Sequence, residues 1–126
     1  MANTFKLKTK ANLTTNAINH ADALIYTSPN ATHTVVLSIS LSNTSASSKT
    51  VDVQIVSDTN DVTTNANVYL GKTLPIPSGG TLEIMQGNKL VLEDTDAIRA
   101  RCSSGSSADI LVSVMELSLI HISEPT

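Results

Sequence analysis

The stretch HTVVLSISL, residues 33–41, decides the fold, because apolar and small polar side chains alternate along it. Strict alternation among β-branched residues is typical of a strand with one buried face. A second run, TVDVQIV at residues 50–56, repeats the pattern after the polar turn 43–48. The two runs therefore predict a β-hairpin. The buried side of its first strand is expected to carry Val35, Leu37, Ile39 and Leu41.

Several shorter runs show the same alternation, and turn residues separate them along the chain. The end of the run 68–76 is expected at a sheet edge or at a position outside the ladder, because Pro75 and Pro77 have no amide hydrogen to donate. The turn QGN at 86–88 predicts a second hairpin, between strands at 81–85 and 89–93. Further strands are predicted at 4–13, 24–27, 97–103 and 109–115. About eight short strands with little or no helix predict an all-β, jelly-roll-like antiparallel β-sandwich.

The core is expected to be aliphatic, because the chain has one Phe, two Tyr and no Trp. The inward positions of the predicted strands supply its members. Cys102 falls on an inward position and is expected to be a small buried residue rather than a reactive thiol. The predicted core consists of Phe5, Leu7, Val35, Leu37, Ile39, Val51, Val53, Ile55, Leu70, Leu74, Leu82, Ile84, Leu90, Leu92, Ile98, Ile110, Val112 and Val114.

Length and composition exclude several classes of protein. A chain of 126 residues fits one domain of ordinary size. Its net charge of −3 argues against nucleic-acid binding, and its single cysteine argues against a disulfide framework. No apolar run approaches the ~18 residues that a membrane span needs. The opening residues MANTFKLKTK also lack the apolar stretch of a secretion signal.

Lys6, Lys8 and Lys10 share one face of the first predicted strand, opposite Phe5 and Leu7. One explanation is that these charges protect an edge strand from pairing with other chains. The other is that they form a docking face for an acidic partner surface. Edge protection is favoured, and the three lysines are the sequence's candidate partner-docking residues.

The rest of the sequence gives only weak indications of a catalytic or metal-binding site. His20 and His33 lie beside no nucleophile motif, so no catalytic residue and no cofactor is predicted. The acidic stretches 58–61 and 93–96 carry oxygen ligands of the kind that calcium accepts, although neither matches an EF-hand loop. Carboxylates that bond to nearby backbone amides in turns explain both stretches better. We therefore predict no metal site.

Three pieces of the chain carry a resemblance to small virion structural proteins of tailed bacteriophages. They are IYTSPNATHTVVLSISLSN at 25–43, YLGKTLPIPSGGTLEI at 69–84 and KLVLEDTDAIRARCSSGSSADILVSVMEL at 89–117. The resemblance implies an all-β sandwich displayed on the particle as a head decoration, neck or tail-associated protein. It also implies assembly in the host cytoplasm and contacts with other virion proteins or with itself, as in a homotrimer. It supplies no catalytic residues.

A binding module is the alternative function. Such a module would recognise a host-surface glycan or receptor through the polar loops 57–67 and 103–109, because loops of a β-sandwich commonly carry binding sites. The scarcity of aromatic side chains argues against a sugar site built on stacking platforms. An enzyme is the least supported class, because no polar constellation suited to catalysis is visible.

The segment LSLIHISEPT, residues 117–126, resembles the translation of a sequencing-library adapter. We therefore expect residues 1–116 to form the single domain and the segment to contribute nothing to the fold. On this view His121 and Glu124 have no functional role.

Overall fold

A computed structural model describes residues 3–57, 67–85, 88–103 and 108–118. Across these residues, two antiparallel sheets pack against each other, and the helical content is one 3₁₀ turn at Ala21–Ala23. The predicted all-β sandwich is therefore confirmed. Its strands are β1 (Asn3–Lys10), β2 (Leu24–Thr27), β3 (Thr32–Asn43), β4 (Lys49–Val56), β5 (Val68–Ile76), β6 (Thr81–Glu83), β7 (Leu90–Leu92), β8 (Ala97–Cys102) and β9 (Ala108–Ser118).

The larger sheet has the order β1-β9-β3, and the short strands β6 and β7 both pair with the remaining side of β3. The smaller sheet has the order β2-β8-β4-β5. Strand β5 lies at the edge of the smaller sheet, so the prediction from its prolines is confirmed. Strand β9 pairs with both of its neighbours over most of its length, so β9 and β3 are the interior strands of the larger sheet.

Both predicted hairpins are wrong. Strand β3 pairs with β9, whereas β4 pairs with β8 in the other sheet, so the turn 43–48 crosses from one sheet to the other. Strands β6 and β7 each pair with β3 rather than with each other. The alternation was read correctly, but two successive strands that bury one core can either pair side by side or face each other across it. The pattern does not distinguish these arrangements.

A β-bulge in β3 explains why half of its predicted core face is wrong. The register with β9 shifts between Val36 and Ser38, so Leu37 is an extra residue. A one-residue insertion moves every following side chain to the other face. Thr34 and Val36 are therefore buried before the bulge and Ile39 after it, while Leu37 is half-buried. Val35 is half-buried on the side away from the core for the same reason.

Aliphatic side chains from both sheets fill the space between them, as predicted. The prediction is also confirmed for Cys102, which is buried as a free thiol. The prediction is wrong for Leu70, which is exposed on edge strand β5. Leu13 and Ile76 were missed because each lies at the end of a run or beyond it. The largest fully buried side chains are Leu13, Ile39, Leu41, Ile76, Leu92, Ile98, Ile110, Val36, Val51, Val53, Val112 and Val114.

Candidate protein–protein interface

Strand β1 turns its apolar side away from the core. Its register with β9 places Phe5 opposite Met115 and Leu7 opposite Ser113, and directly opposite residues share one face of a sheet. The core-facing residues of β9 alternate with these partners, so Phe5 and Leu7 point outward. Their side chains are 71% and 59% exposed. Assigning them to the core was therefore wrong, although their alternation was read correctly.

An apolar row crosses the larger sheet on this outer side. Phe5 is opposite Met115, Met115 is opposite Val35, and Val35 is opposite Val91 on β7. Val91 is 57% exposed, and Val35 and Met115 are half-buried. We call the outward-facing set the outer apolar patch: Phe5, Leu7, Val35, Val91, Leu111 and Met115. Ser113 lies between Met115 and Leu111 along β9, so the continuous part of the patch is the row from Phe5 to Val91. Exposed apolar surface that continues across several strands is typical of contact sites.

The three predicted lysines lie on the opposite side of β1. Lys6, Lys8 and Lys10 are paired with Val114, Val112 and Ile110, which face the core. Because β1 is an edge strand, these lysines project at the open margin between the sheets. Inward-pointing charges at a sheet edge are a known protection against strand addition. Their position supports edge protection over a docking face.

The structure divides the lysines between two depressions. Lys6 and Lys8 line a cleft of about 280 Å³ between β1 and β2. Lys10 lines a separate depression of about 350 Å³, together with Ser40, Ser42 and Asp109. The three residues therefore do not form one docking site.

A buried polar network lies beneath the cleft. The Lys6 Nζ atom is 3.1 Å from Glu116 Oε1, and the Tyr26 hydroxyl donates to Glu116 Oε2 at 2.5 Å. Thr34 Oγ1 lies 2.9 Å from the Tyr26 hydroxyl and 2.8 Å from Ser28 Oγ. Burial raises the pKa of the Tyr26 phenol, and the hydrogen bond to the Glu116 carboxylate raises it further. The network engages Lys6 within the chain, which argues against a role for it in binding an acidic partner.

The outer side of the smaller sheet is covered by the chain itself. Arg101 on β8 donates from Nε to the Asn16 carbonyl at 2.8 Å and from Nη2 to the Thr15 carbonyl at 3.0 Å. Arg99 donates to the His20 carbonyl at 2.9 Å. These bonds hold the segment 11–20 across the sheet. The outer side of the smaller sheet therefore carries a polar strap. The outer side of the larger sheet carries the outer apolar patch together with polar residues such as Ser40, Asp109 and Ser113.

Asp52 anchors this polar face. Its side chain is buried, its Oδ1 accepts from the Thr73 amide at 2.7 Å, and its Oδ2 lies 3.1 Å from Arg101 Nη1 and 3.6 Å from Lys72 Nζ. Burial by itself would raise the pKa of the Asp52 carboxyl. The Thr73 amide and the two cations outweigh burial and hold this pKa below its ordinary value.

Replacing Asp52 with asparagine is expected to weaken the acid dependence of folding stability. The unfolded carboxyl titrates near pH ~3.9, above the folded one, so its stabilisation is present above that pH and is lost as pH falls through the folded pKa. The free energy of unfolding, measured by urea titration from neutral to acid pH, should therefore differ most between wild type and Asp52→Asn at neutral pH. The exposed Asp22→Asn is the control. A difference for Asp52→Asn that stays constant with pH would contradict the prediction.

The other candidate residues belong to turns or lie outside the described residues. At 93–96, Asp96 Oδ2 accepts from the Glu93 amide at 3.0 Å, which is the turn chemistry favoured from the sequence. Within the described ranges, no group of three His, Cys, Asp or Glu side chains is placed to hold a metal ion. The acidic stretch 58–61 lies outside the described residues, as do most of the loops 57–67 and 103–109.

The first two residues of the segment 117–126 belong to the fold. Leu117 pairs with both Asn3 and His33, and Ser118 pairs with Thr32. Excluding these two from the fold was therefore wrong, and residues 119–126 lie outside the described residues. None of the helical residues described forms a segment with the length and apolarity needed to cross a membrane.

Comparison with known proteins adds no family to this description. No protein-family model matches the chain, and the search of curated proteins finds no match. The geometry of the sandwich and the outer apolar patch therefore support the functional proposal.

Proposed function

We propose that the protein is a non-enzymatic structural component of a bacteriophage particle, a head decoration or a neck or tail component, and acts through protein–protein contacts. The observation that carries the proposal is the outer apolar patch, which spans four adjacent strands of the larger sheet. Removing apolar surface from water contributes about 25 cal/mol per Å². A flat face of this kind supplies binding free energy without any catalytic group. The resemblance of residues 25–43, 69–84 and 89–117 to virion proteins supports a bacteriophage particle as the assembly that the protein joins.

Density-gradient purification of particles from the virus that encodes the chain tests this proposal. We expect the protein to band with the particles at a constant ratio to the major capsid protein. Val91→Asp should be lost from the band, because it places a charge in the outer apolar patch. Val68→Asp is the matched control, since Val68 is 56% exposed on the other sheet and Val91 is 57% exposed. Protein found only in the unbanded fraction would contradict the proposal.

Recognition of a host-surface glycan is the second candidate. It is favoured by the depression of about 350 Å³ beside Lys10, which is lined by Ser40, Ser42 and Asp109. These side chains already bond to Glu83, to Thr81 and to the Asn12 amide, which weakens this candidate. The described lining of the depression contains no aromatic ring on which a sugar could stack, so the patch remains the stronger observation. Glycan-array binding that is abolished by Ser40→Ala and unaffected by Val91→Asp would support this candidate over the first.

A further inference from the structure

We infer that the chain folds in a compartment without N-glycosylation, because one of its three acceptor sequences for N-linked sugar is buried in the fold. An Asn followed by any residue except Pro and then by Ser or Thr is such an acceptor. The chain has this pattern at Asn12, Asn30 and Asn43. Asn12 and Asn30 are exposed, whereas Asn43 is 2% exposed. Asn43 is not part of the outer apolar patch, so the inference goes beyond the proposed contact surface and does not depend on it.

The side-chain amide of Asn43 uses both of its hydrogens within the fold. Nδ2 donates to the Ile76 carbonyl at 2.8 Å and to the Ser47 carbonyl at 2.9 Å. N-glycosylation joins Nδ2 to the anomeric carbon of a sugar, releases one Nδ2 proton and displaces the lipid diphosphate that carried the sugar. The nitrogen then keeps one hydrogen, so at least one of the two carbonyls loses its donor. Leaving the buried Ile76 carbonyl unpaired would destabilise the fold.

The surroundings of Asn43 also leave no space for a sugar. The Asn43 backbone amide donates to the Gly80 carbonyl at 2.9 Å, and the Gly79 amide donates to the Asn43 carbonyl at 3.1 Å. The residue therefore lies between the turn 43–48, which its side chain holds, and the turn 77–80, which its backbone holds. Protein interiors are close-packed, so a sugar ring could enter here only by separating the two turns.

Burial in the finished fold does not protect Asn43 from modification. The sugar is transferred to the extended chain as it enters a secretory compartment, before the fold has formed. A chain modified at Asn43 could not then close around this residue, whereas a sugar on Asn12 or Asn30 would project into solvent. Asn43 therefore makes folding depend on the compartment. The cytoplasm, where the resemblance to virion proteins places assembly, meets this condition.

Expression of the full chain in eukaryotic cells, with and without a cleavable secretion leader, tests the inference. Without the leader, the chain should fold, as judged by circular dichroism. With the leader, it should be retained in the cell and carry sugar on Asn43, as judged by mass spectrometry of its glycopeptides. Ser45→Ala removes the acceptor pattern but keeps the Asn43 amide, so it should raise secretion several-fold. Thr32→Ala removes the pattern at Asn30 in the same way and should leave secretion unchanged.

Secreted, folded protein that carries sugar on Asn43 would overturn the inference. Wild type that is secreted as well as Ser45→Ala, with Asn43 unmodified, would also overturn it, because the acceptor pattern would then place no restriction on the compartment. Ser45 Oγ itself donates to Asn43 Oδ1 at 2.7 Å, so Ser45→Ala purified from bacteria controls for folding. Blocking the synthesis of the lipid-linked sugar, which changes no residue, should restore secretion of the wild type. These outcomes are independent of particle banding, which tests the outer apolar patch.

Discussion

Replacing Leu41 with alanine is expected to lower the free energy of unfolding by about 2–5 kcal/mol, whereas Leu7→Ala changes it by less than ~0.5 kcal/mol. The chemical change is the same at both positions. Leu41 is fully buried in β3 at the centre of the larger sheet, and its removal leaves a cavity in the core. Leu7 is 59% exposed on edge strand β1, and its removal leaves none.

Urea denaturation measures both losses as changes in the free energy of unfolding. The comparison tests directly whether the apolar side of β1 faces the core or the solvent. A loss for Leu7→Ala that equals the loss for Leu41→Ala would mean that the apolar side of β1 is buried. That is the arrangement expected from the alternation of the sequence alone.

Asn43→Ala is expected to destabilise the fold by about 1–3 kcal/mol, because it removes the side-chain donor to the buried Ile76 carbonyl and two further hydrogen bonds. Asn43 ends β3 and is itself buried. Its Nδ2 donates to the Ile76 carbonyl at 2.8 Å and to the Ser47 carbonyl at 2.9 Å. Its Oδ1 accepts from the Ser45 amide at 2.9 Å. One side chain therefore connects the end of β3, the crossing to the other sheet and the end of β5.

Thermal and urea unfolding of three variants separates these bonds. Asn43→Asp keeps an acceptor for Ser45 but loses the donors to Ile76 and Ser47, so it should also be destabilising. Asn30→Ala is the control, because Asn30 is exposed next to a turn. If Asn43→Ala were as stable as Asn30→Ala, the connection between the sheets would not depend on this side chain.

Local features of the fold could be predicted from the sequence, and relations between strands could not. Strands β2 and β5 were placed correctly because alternation and turn residues are local signals. The bulge at Leu37 has no such signal, since no glycine or proline marks it. Pairing depends on which strands meet across the whole chain. For this reason β3 and β4 were assigned to one sheet instead of two.

The candidate site was partly visible in the sequence. Strand β9 carries Leu111 and Met115 on its outer side, where they alternate with Asp109 and Ser113. Apolar residues on both sides of a strand are typical of one whose two faces are both at least partly covered. The sequence correctly predicts one apolar and one lysine-bearing side of β1. It places the apolar side in the core, whereas the structure turns that side outward. Packing apolar residues inward is the usual solution for a monomer, and a face that binds a partner reverses it.

The central claim is that the outer apolar patch is a contact surface, and thiol labelling of Val91→Cys tests it most directly. The chain's native cysteine, Cys102, is buried, so the introduced thiol reacts without interference. We expect rapid labelling of the free protein and slower labelling of the protein in purified particles, where a partner surface covers the position. Val68→Cys should label at the same rate in both. Equal rates for Val91→Cys in the free and the particle-bound protein would contradict the account.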